Sequence, residues 1–294
     1  MDRALIGQLR RFNRTVTHRI GALREDFLGR GRPLGQSRLL YEIGRDGAEL
    51  RDLRARLGLD SGYVSRLLRA LEAEGLTAAG RDPVDGRARR VTLTPKGLRE
   101  LAELDRRSDV SAEAILAPLA PRQRARLVEA MAEVERLLQA SSVQIAPEPA
   151  DSAEALLCLT AYFRELAQRF EAGFDPAMSI SATAVEMTPP AGLLILARLD
   201  ARPIGCAALK AKDGGIGEVK RMWVAPEARG LGLGRRLLEA VEAEARGFGL
   251  AELRLETNRT LREAQALYRS AGYAEVAPFN DEAYAHHWFS KPLG

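Results

Sequence analysis

Three glycines at alternate positions, Gly230, Gly232 and Gly234, lie in Arg229-Gly230-Leu231-Gly232-Leu233-Gly234. A residue without a side chain lets the main chain approach a ligand, and the free amides that open a helix carry partial positive charge. The segment follows Glu218-Val219-Lys220-Arg221-Met222-Trp223-Val224, which reads as a strand, and precedes a helical pattern from Arg235 to Arg246. Strand, glycine turn and helix in that order make a place for a diphosphate, and Arg235 and Arg236 strengthen its field. A Walker A loop is excluded because it ends in Gly-Lys-Ser/Thr. A dinucleotide fingerprint is excluded because Arg235 and Leu237 stand where it needs glycine. On the glycines alone, a purely structural turn stays open.

A second set of residues suits nucleic acid. Between Ser61 and Glu74 the apolar Val64, Leu67, Leu68 and Leu71 take the i, i+3, i+4, i+7 positions of a helix, leaving Ser61, Tyr63, Ser65, Arg66 and Arg69 outward. Arginine can donate two parallel hydrogen bonds to guanine, and serine and tyrosine hydroxyls can hold phosphates. Gly58 stops a preceding helix over 49–57, and Asp60 or Ser61 can cap the next, which makes a helix-turn-helix. Arg81, Arg87, Arg89 and Arg90 surround a turn, Asp82 to Gly86, between two extended pieces at 77–81 and 89–93. A basic hairpin of this kind suits phosphate or minor-groove contact. A solvated arginine face is the plainer alternative.

Both sets need elements to hold them. Leu5, Leu9, Phe12, Val16, Ile20, Leu23 and Phe27 recur every three or four residues, as do Leu127, Met131, Val134 and Leu138, so helices open and close the first half. Shorter helices are expected near 37–44, 49–57 and 61–74. Helical periodicity stops near Ser141, and Pro147 and Pro149 forbid a continuous helix, which predicts a linker. Beyond it a helix over 152–172 precedes strands near 193–199, 203–210, 216–224 and 252–256, with helices near 233–247 and 260–271. The expected architecture is therefore a mainly α winged helix-turn-helix at 1–142, a linker at 143–151, and an α/β (α+β) domain with a mixed central sheet at 152–294.

With 294 residues the chain can bury two cores, and 46% apolar with 29% charged residues excludes wholesale disorder. Residues 1–142 hold 27 Lys and Arg against 20 Asp and Glu, and residues 143–294 hold 17 against 20. The basic excess lies wholly in the first half, as it would if only that half met a polyanion. No apolar run approaches the roughly 18 residues of a membrane span, so a cytoplasmic protein is expected. Cys158 and Cys206 have neither CxxC spacing nor a neighbouring histidine, which points to buried thiols and to no metal.

The first half resembles the MarR family of winged-helix regulators, with Gly58 to Leu76 matching its recognition region and Arg81 to Gly97 its wing. The resemblance implies double-stranded DNA as partner and a homodimer through the terminal helices, reading a two-fold symmetric operator. The second half resembles the GNAT acetyltransferases: Arg229 to Gly234 fits their coenzyme loop, and Ala264 to Tyr273 their Ala-x-x-Leu-Tyr-x-x-x-Gly-Tyr helix. That resemblance implies acetyl-CoA as donor, entering a splay between two adjacent strands. Main-chain groups of Met222 and Val224 would pair with the pantetheine, while Arg229, Gly230, Leu231, Gly232, Leu233, Gly234 and Arg235 hold the diphosphate. Asn258 is a further cofactor contact. Tyr268 matches the family position for the acid that protonates the leaving thiolate, the Val224 amide would polarise the carbonyl, and Glu218 is the candidate base. His286 and His287 could line the acceptor site, although packing or surface roles suit them as well.

The reading that joins these parts is a transcriptional regulator fused to an acetyl-CoA-dependent N-acetyltransferase whose acceptor is an amine, small molecule or protein. Two rivals stand beside it. In one the second domain senses acyl-CoA without turnover, and in the other the winged helix serves dimerisation or partner docking.

Overall fold

Asp2 opens the first helix, its side chain accepting from Ala4 N at 2.8 Å, and α1 (Arg3–Arg19) runs until Gly21, at φ +71°, turns the chain. The expected stripe to Phe27 is therefore cut short of Ile20. The computed structural model describes residues 2–81, 89–180 and 182–294, with the backbone alone at Arg81. Two units form, Met1–Ala130 and Met131–Gly294.

The first unit continues with α2 (Leu34–Ile43), β1 (Ala48–Glu49), α3 (Leu50–Leu57), α4 (Ser61–Ala73), β2 (Thr77–Arg81), β3 (Arg89–Leu93) and α5 (Pro95–Leu116). A long α6 (Pro121–Ser142) follows. The three strands pair in the order β1-β3-β2, all antiparallel. Gly58 at φ +60° ends α3, and Asp60 caps α4 by accepting from Tyr63 N at 2.9 Å. Val64, Leu67, Leu68 and Leu71 then bury against Leu39, Leu40, Ile43, Leu53 and Val91. A buried charge cluster ties the segment before α2 to α5: Arg30 reaches Glu100 at 2.9 and 2.6 Å, and Arg32 bridges Glu100 at 2.5 Å and Glu74 at 2.7 Å. The Arg30 hydrogen bond, ahead of those from Arg32, holds the Glu100 carboxyl below the usual carboxylate range.

The second unit is built on a seven-stranded sheet. Its elements are β4 (Gln144–Glu148), α7 (Ala153–Arg169), β5 (Gly192–Leu199), β6 (Arg202–Lys212), β7 (Ile216–Val224), α8 (Leu233–Gly247), β8 (Glu252–Thr257), α9 (Arg262–Ser270), β9 (Ala274–Val276) and β10 (His287–Pro292). The strand order is β4-β5-β6-β7-β8-β10-β9, antiparallel except for the β7–β8 pair. Leu193, Ile195, Leu209, Leu237, Val241, Leu253 and Phe289 fill the main core. The structure corrects the linker at 143–151. Residues 144–148 form a sheet strand, with Pro147 opposite Ile195 and Val143 buried in the core. The prolines misled because a proline without a ladder donor is tolerated on an edge strand, which β4 is. Cys158 and Cys206 are buried thiols. No helix among the described residues is long and apolar enough to cross a membrane.

Candidate functional site

The two parallel strands at the centre of the second unit begin together and then part. β7 pairs with β8 only at Ile216, Gly217 and Glu218, opposite Glu252, Leu253 and Arg254. On its other side β7 carries a bulge: Trp223 faces Cys206 and Lys220 faces Ala208, leaving an extra residue between, and Arg221 there adopts φ +56°. A bulge turns and twists a strand, and the open stretch of β7 becomes the wall of a cleft of about 460 Å3. Met222, Val224, Arg229, Gly230, Gly232, Leu233, Gly234, Arg235 and Tyr268 all line it, together with Tyr162 and Glu165 of α7.

The glycine turn stands at one end of this cleft. Gly230 and Gly232 take φ +80° and +69°, where a side chain is strained, and Gly232 caps α8 with no side-chain hydrogen bond. Among the described residues the amides from Gly230 to Arg235 have no protein acceptor, and the first α8 bond is Arg236 N to Gly232 O at 3.2 Å. Gly234 is small for a different reason: a Cβ there would lie 3.2 Å from Leu267 Cδ2 and 3.9 Å from Met222 Cε. Bare amides and a cradle that a side chain would fill suit an approaching diphosphate. Leu231 packs against the core and does not line the cleft. Arg235 reaches Ser270 Oγ at 2.6 Å from the cleft wall, whereas Arg236 donates to the carbonyls of Ala140 and Val143, away from any ligand. Arg229 is anchored by Glu165 at 2.5 Å and donates to Val224 O at 3.2 Å, and the same Glu165 oxygen accepts from Trp223 Nε1 at 2.8 Å.

Tyr268 closes the other end. It is buried, its hydroxyl 3.8 Å from Met222 Sδ, and burial pushes its phenol well up, so the hydroxyl stays protonated. Past Tyr268 a second cavity of about 100 Å3 opens on the far side of the splay. It holds an aromatic wall of Tyr162, Phe170, Phe174 and Tyr284, with Phe174 and Tyr284 ring centres 4.9 Å apart. Its charged residues are Lys220, Arg221, Glu256 and Glu282. Glu256 forms a very close ion pair with Lys220, its Oε2 is buried without a partner, and burial raises its carboxyl above the usual range.

Two expected residues fall elsewhere. The structure does not bring Glu218 to either cavity: its carboxylate sits buried 3.5 Å from Lys220 Nζ, on the paired part of β7. Asn258 lines the second cavity instead of the cleft, and its amide is spent on Tyr284 O at 2.8 Å and Thr260 N at 3.0 Å. His286 is exposed, and His287 Nδ1 lies 2.6 Å from Glu275 Oε1; neither lines a cavity. Sequence reasoning missed the aromatic wall and Glu256. One signal was present: in Glu252-Leu253-Arg254-Leu255-Glu256 the leucines alternate into the core, which puts Glu256 on the opposite face of the strand.

In the first unit the outward face of α4 carries Ser61, Tyr63, Ser65, Arg66 and Arg69. The Arg66 guanidinium lies over the Tyr63 ring at 5.6 Å, Ser65 Oγ donates to Ser61 O at 2.7 Å, and Arg69 Nε to Ser65 O at 3.2 Å. Arg89 is exposed at the start of β3. Arg81 contributes backbone to β2, and Arg87 lies outside the described residues. Among the described residues no group of His, Cys, Asp and Glu is arranged to hold a metal ion.

Comparison with known proteins gives two family matches. The acetyltransferase (GNAT) family matches residues 159–273 and the MarR family residues 30–88. An IAA acetyltransferase of Azospirillum brasilense is 49% identical over 86 residues, 29% of this chain and 56% of that protein. An uncharacterised N-acetyltransferase of Schizosaccharomyces pombe is 36% identical over 93 residues, 31% of this chain and 57% of that protein. The chain thus spans somewhat more than half the length of the curated relatives it matches. A GNAT-family acetyltransferase of Staphylococcus aureus is similar in structure at 18% identity and a TM-score of 0.46, over 52% of this chain and 99% of that one.

Proposed function

From a chain that carries a MarR-family domain at residues 30–88 and a GNAT-family acetyltransferase domain at residues 159–273, we propose a DNA-binding regulator joined to an acetyl-CoA-dependent N-acetyltransferase. One observation carries the enzymatic half: the β7–β8 splay, the unbonded amides of Gly230 to Arg235 and the buried Tyr268 hydroxyl share a single cleft. The residues present fit coenzyme A. The α8 N-terminus and Arg235 meet the diphosphate, and the exposed edge of β7 at Met222 and Val224 meets the amides of the pantetheine. The bound coenzyme supplies an acetyl thioester.

The protein's part is to position and to move protons. An acceptor amine held in the second cavity loses its proton to Glu256 and attacks the acetyl carbonyl. The carbon–nitrogen bond forms, the carbon–sulfur bond breaks, and Tyr268 gives its proton to the departing thiolate. Glu256 replaces Glu218 as base because it lines the cavity, is desolvated and has an unengaged oxygen. The Val224 amide polarises the thioester carbonyl.

The regulatory half rests on the outward Tyr63, Ser65, Arg66 and Arg69 of α4 and on Arg89 beside the hairpin. Apolar residues on both terminal helices are exposed in the single chain, Leu5 and Leu9 on α1 and Met131 and Leu137 on α6, and neither helix buries a residue. A homodimer through these helices gives them cover and presents two copies of α4 to one duplex. Calorimetric titration with acetyl-CoA, followed by an amine panel with wild type and Tyr268→Phe, tests the enzyme. Binding with no turnover on any amine identifies an acyl-CoA sensor instead.

A further inference from the structure

Arg221 is a charged cavity residue whose chemistry the transfer reaction does not use. It sits in the β7 bulge at φ +56°, a conformation strained for a residue with a side chain, which persists where the surroundings impose it. Its guanidinium lies over the Phe163 ring at 4.3 Å and, among the described residues, donates one hydrogen bond, from Nη2 to Ala182 O at a long 3.3 Å. Its Nε is buried and has no partner, and no carboxylate forms an ion pair with it among the described residues. Glu282, which lines the same cavity, is already committed. Its Oε2 accepts from Ser179 Oγ at 2.9 Å and Ile180 N at 2.6 Å, and its Oε1 from Tyr284 N at 3.3 Å. The remaining charges pair elsewhere, Lys220 with Glu256 and Glu218.

A largely buried guanidinium with spare donors is an expensive arrangement unless an anion completes it, and the planar fork matches a carboxylate. Building on the acyl-transfer reading, we propose that the acceptor is an α-amino acid, its carboxylate bound by Arg221 and its amine presented to Glu256. The cavity is small, about 100 Å3, which suits a small molecule and excludes a folded chain. The wall of Phe170, Phe174 and Tyr284 offers its side chain an apolar surface.

The test compares L-alanine and L-serine with their carboxamides, which keep the amine and side chain and remove the negative charge. Binding to the full-length protein saturated with coenzyme A is read by calorimetry, and acetyl transfer is read separately by thiol release. The expected result is that each acid binds about 10- to 150-fold more tightly than its amide, the range for a hydrogen-bonded charged group. In Arg221→Asn, chosen because asparagine tolerates positive φ, that ratio falls to near one while coenzyme affinity is kept. Equal affinity of acid and amide for wild type overturns the proposal, as does an unchanged ratio in Arg221→Asn. Turnover of amides with no preference for acids leaves acyl transfer standing and removes the amino-acid assignment. Acid-selective, Arg221-dependent binding without thiol release upholds the carboxylate site and sinks the enzymatic reading.

Discussion

In the proposed reaction Tyr268 and Glu256 divide the proton chemistry, and burial acts on the two in the same direction with opposite consequences. A phenol pushed up remains a proton carrier throughout the neutral range, which suits an acid. A carboxyl pushed up is a better base once ionised but is ionised only at higher pH. Tyr268→Phe is therefore expected to cut turnover by about 10²–10⁴-fold and leave acetyl-CoA affinity near wild type, seen by steady-state kinetics beside calorimetry. For Glu256 the sign follows from the raised carboxyl: kcat/KM climbs with pH as the base loses its proton, and Glu256→Gln removes that limb along with about 10²-fold of rate. A pH–rate profile of the two proteins decides it. The place of Tyr268 at the cleft was legible from its spacing to Gly272 and Tyr273. The place of Glu256 in the second cavity was not, because it depends on β8 leaving β7 after Arg254, and a register of pairing is not written in either strand alone. Glu218 looked equivalent by residue type and fell on the wrong side of that parting.

Among the elements, those with strong periodicity were readable. α4 and α8 appear within a residue of their expected ends, since capping Asp60, Gly58 and the leucine spacing all agree. β4 was not readable, because an edge strand tolerates the prolines that mark a linker elsewhere; β9 is only three residues long, and β10 follows an irregular stretch. In the proposed reading the α8 N-terminus is the element on which coenzyme binding turns. At φ +69° Gly232 leaves a β-branched residue strained, so Gly232→Val is expected to weaken acetyl-CoA binding by more than about tenfold, read by calorimetry, with DNA binding untouched. In the first unit, Glu100 fastens Arg30 and Arg32 to α5. Replacing it with alanine leaves two arginines without their buried partner and is expected to cost about 3–5 kcal/mol in urea unfolding. Its carboxyl is lowered, so the stability it contributes is complete above the unfolded carboxyl's range and is lost as pH falls through the folded one. Wild type should lose stability on acidification more steeply than Glu100→Ala.

At the level of the whole molecule, the uneven charge and the uncovered apolar stripes point to the same arrangement. A surplus of seven positive charges over residues 1–142, against a deficit of three beyond, keeps the attraction for a polyanion on the half that bears α4. Exposed leucines at Leu5 and Leu9, 67% and 51% accessible, are costly in a monomer, and the proposed second copy would cover them. A single winged helix contacts one half-site, so on the proposed reading operator affinity depends on that second copy. Placing two carboxylates on the stripe, with Leu5→Asp combined with Leu9→Asp, is expected to convert the dimer to a monomer in sedimentation. The same protein should lose operator binding at moderate salt and keep acetyl-CoA affinity. Arg66→Ala should lower DNA affinity in the intact dimer and, if it meets a phosphate, reduce the salt slope by about one. A monomeric double variant that still binds operator as wild type does would separate dimerisation from DNA recognition. A variant that loses both DNA and coenzyme would show instead that the stripe supports the fold of the second unit.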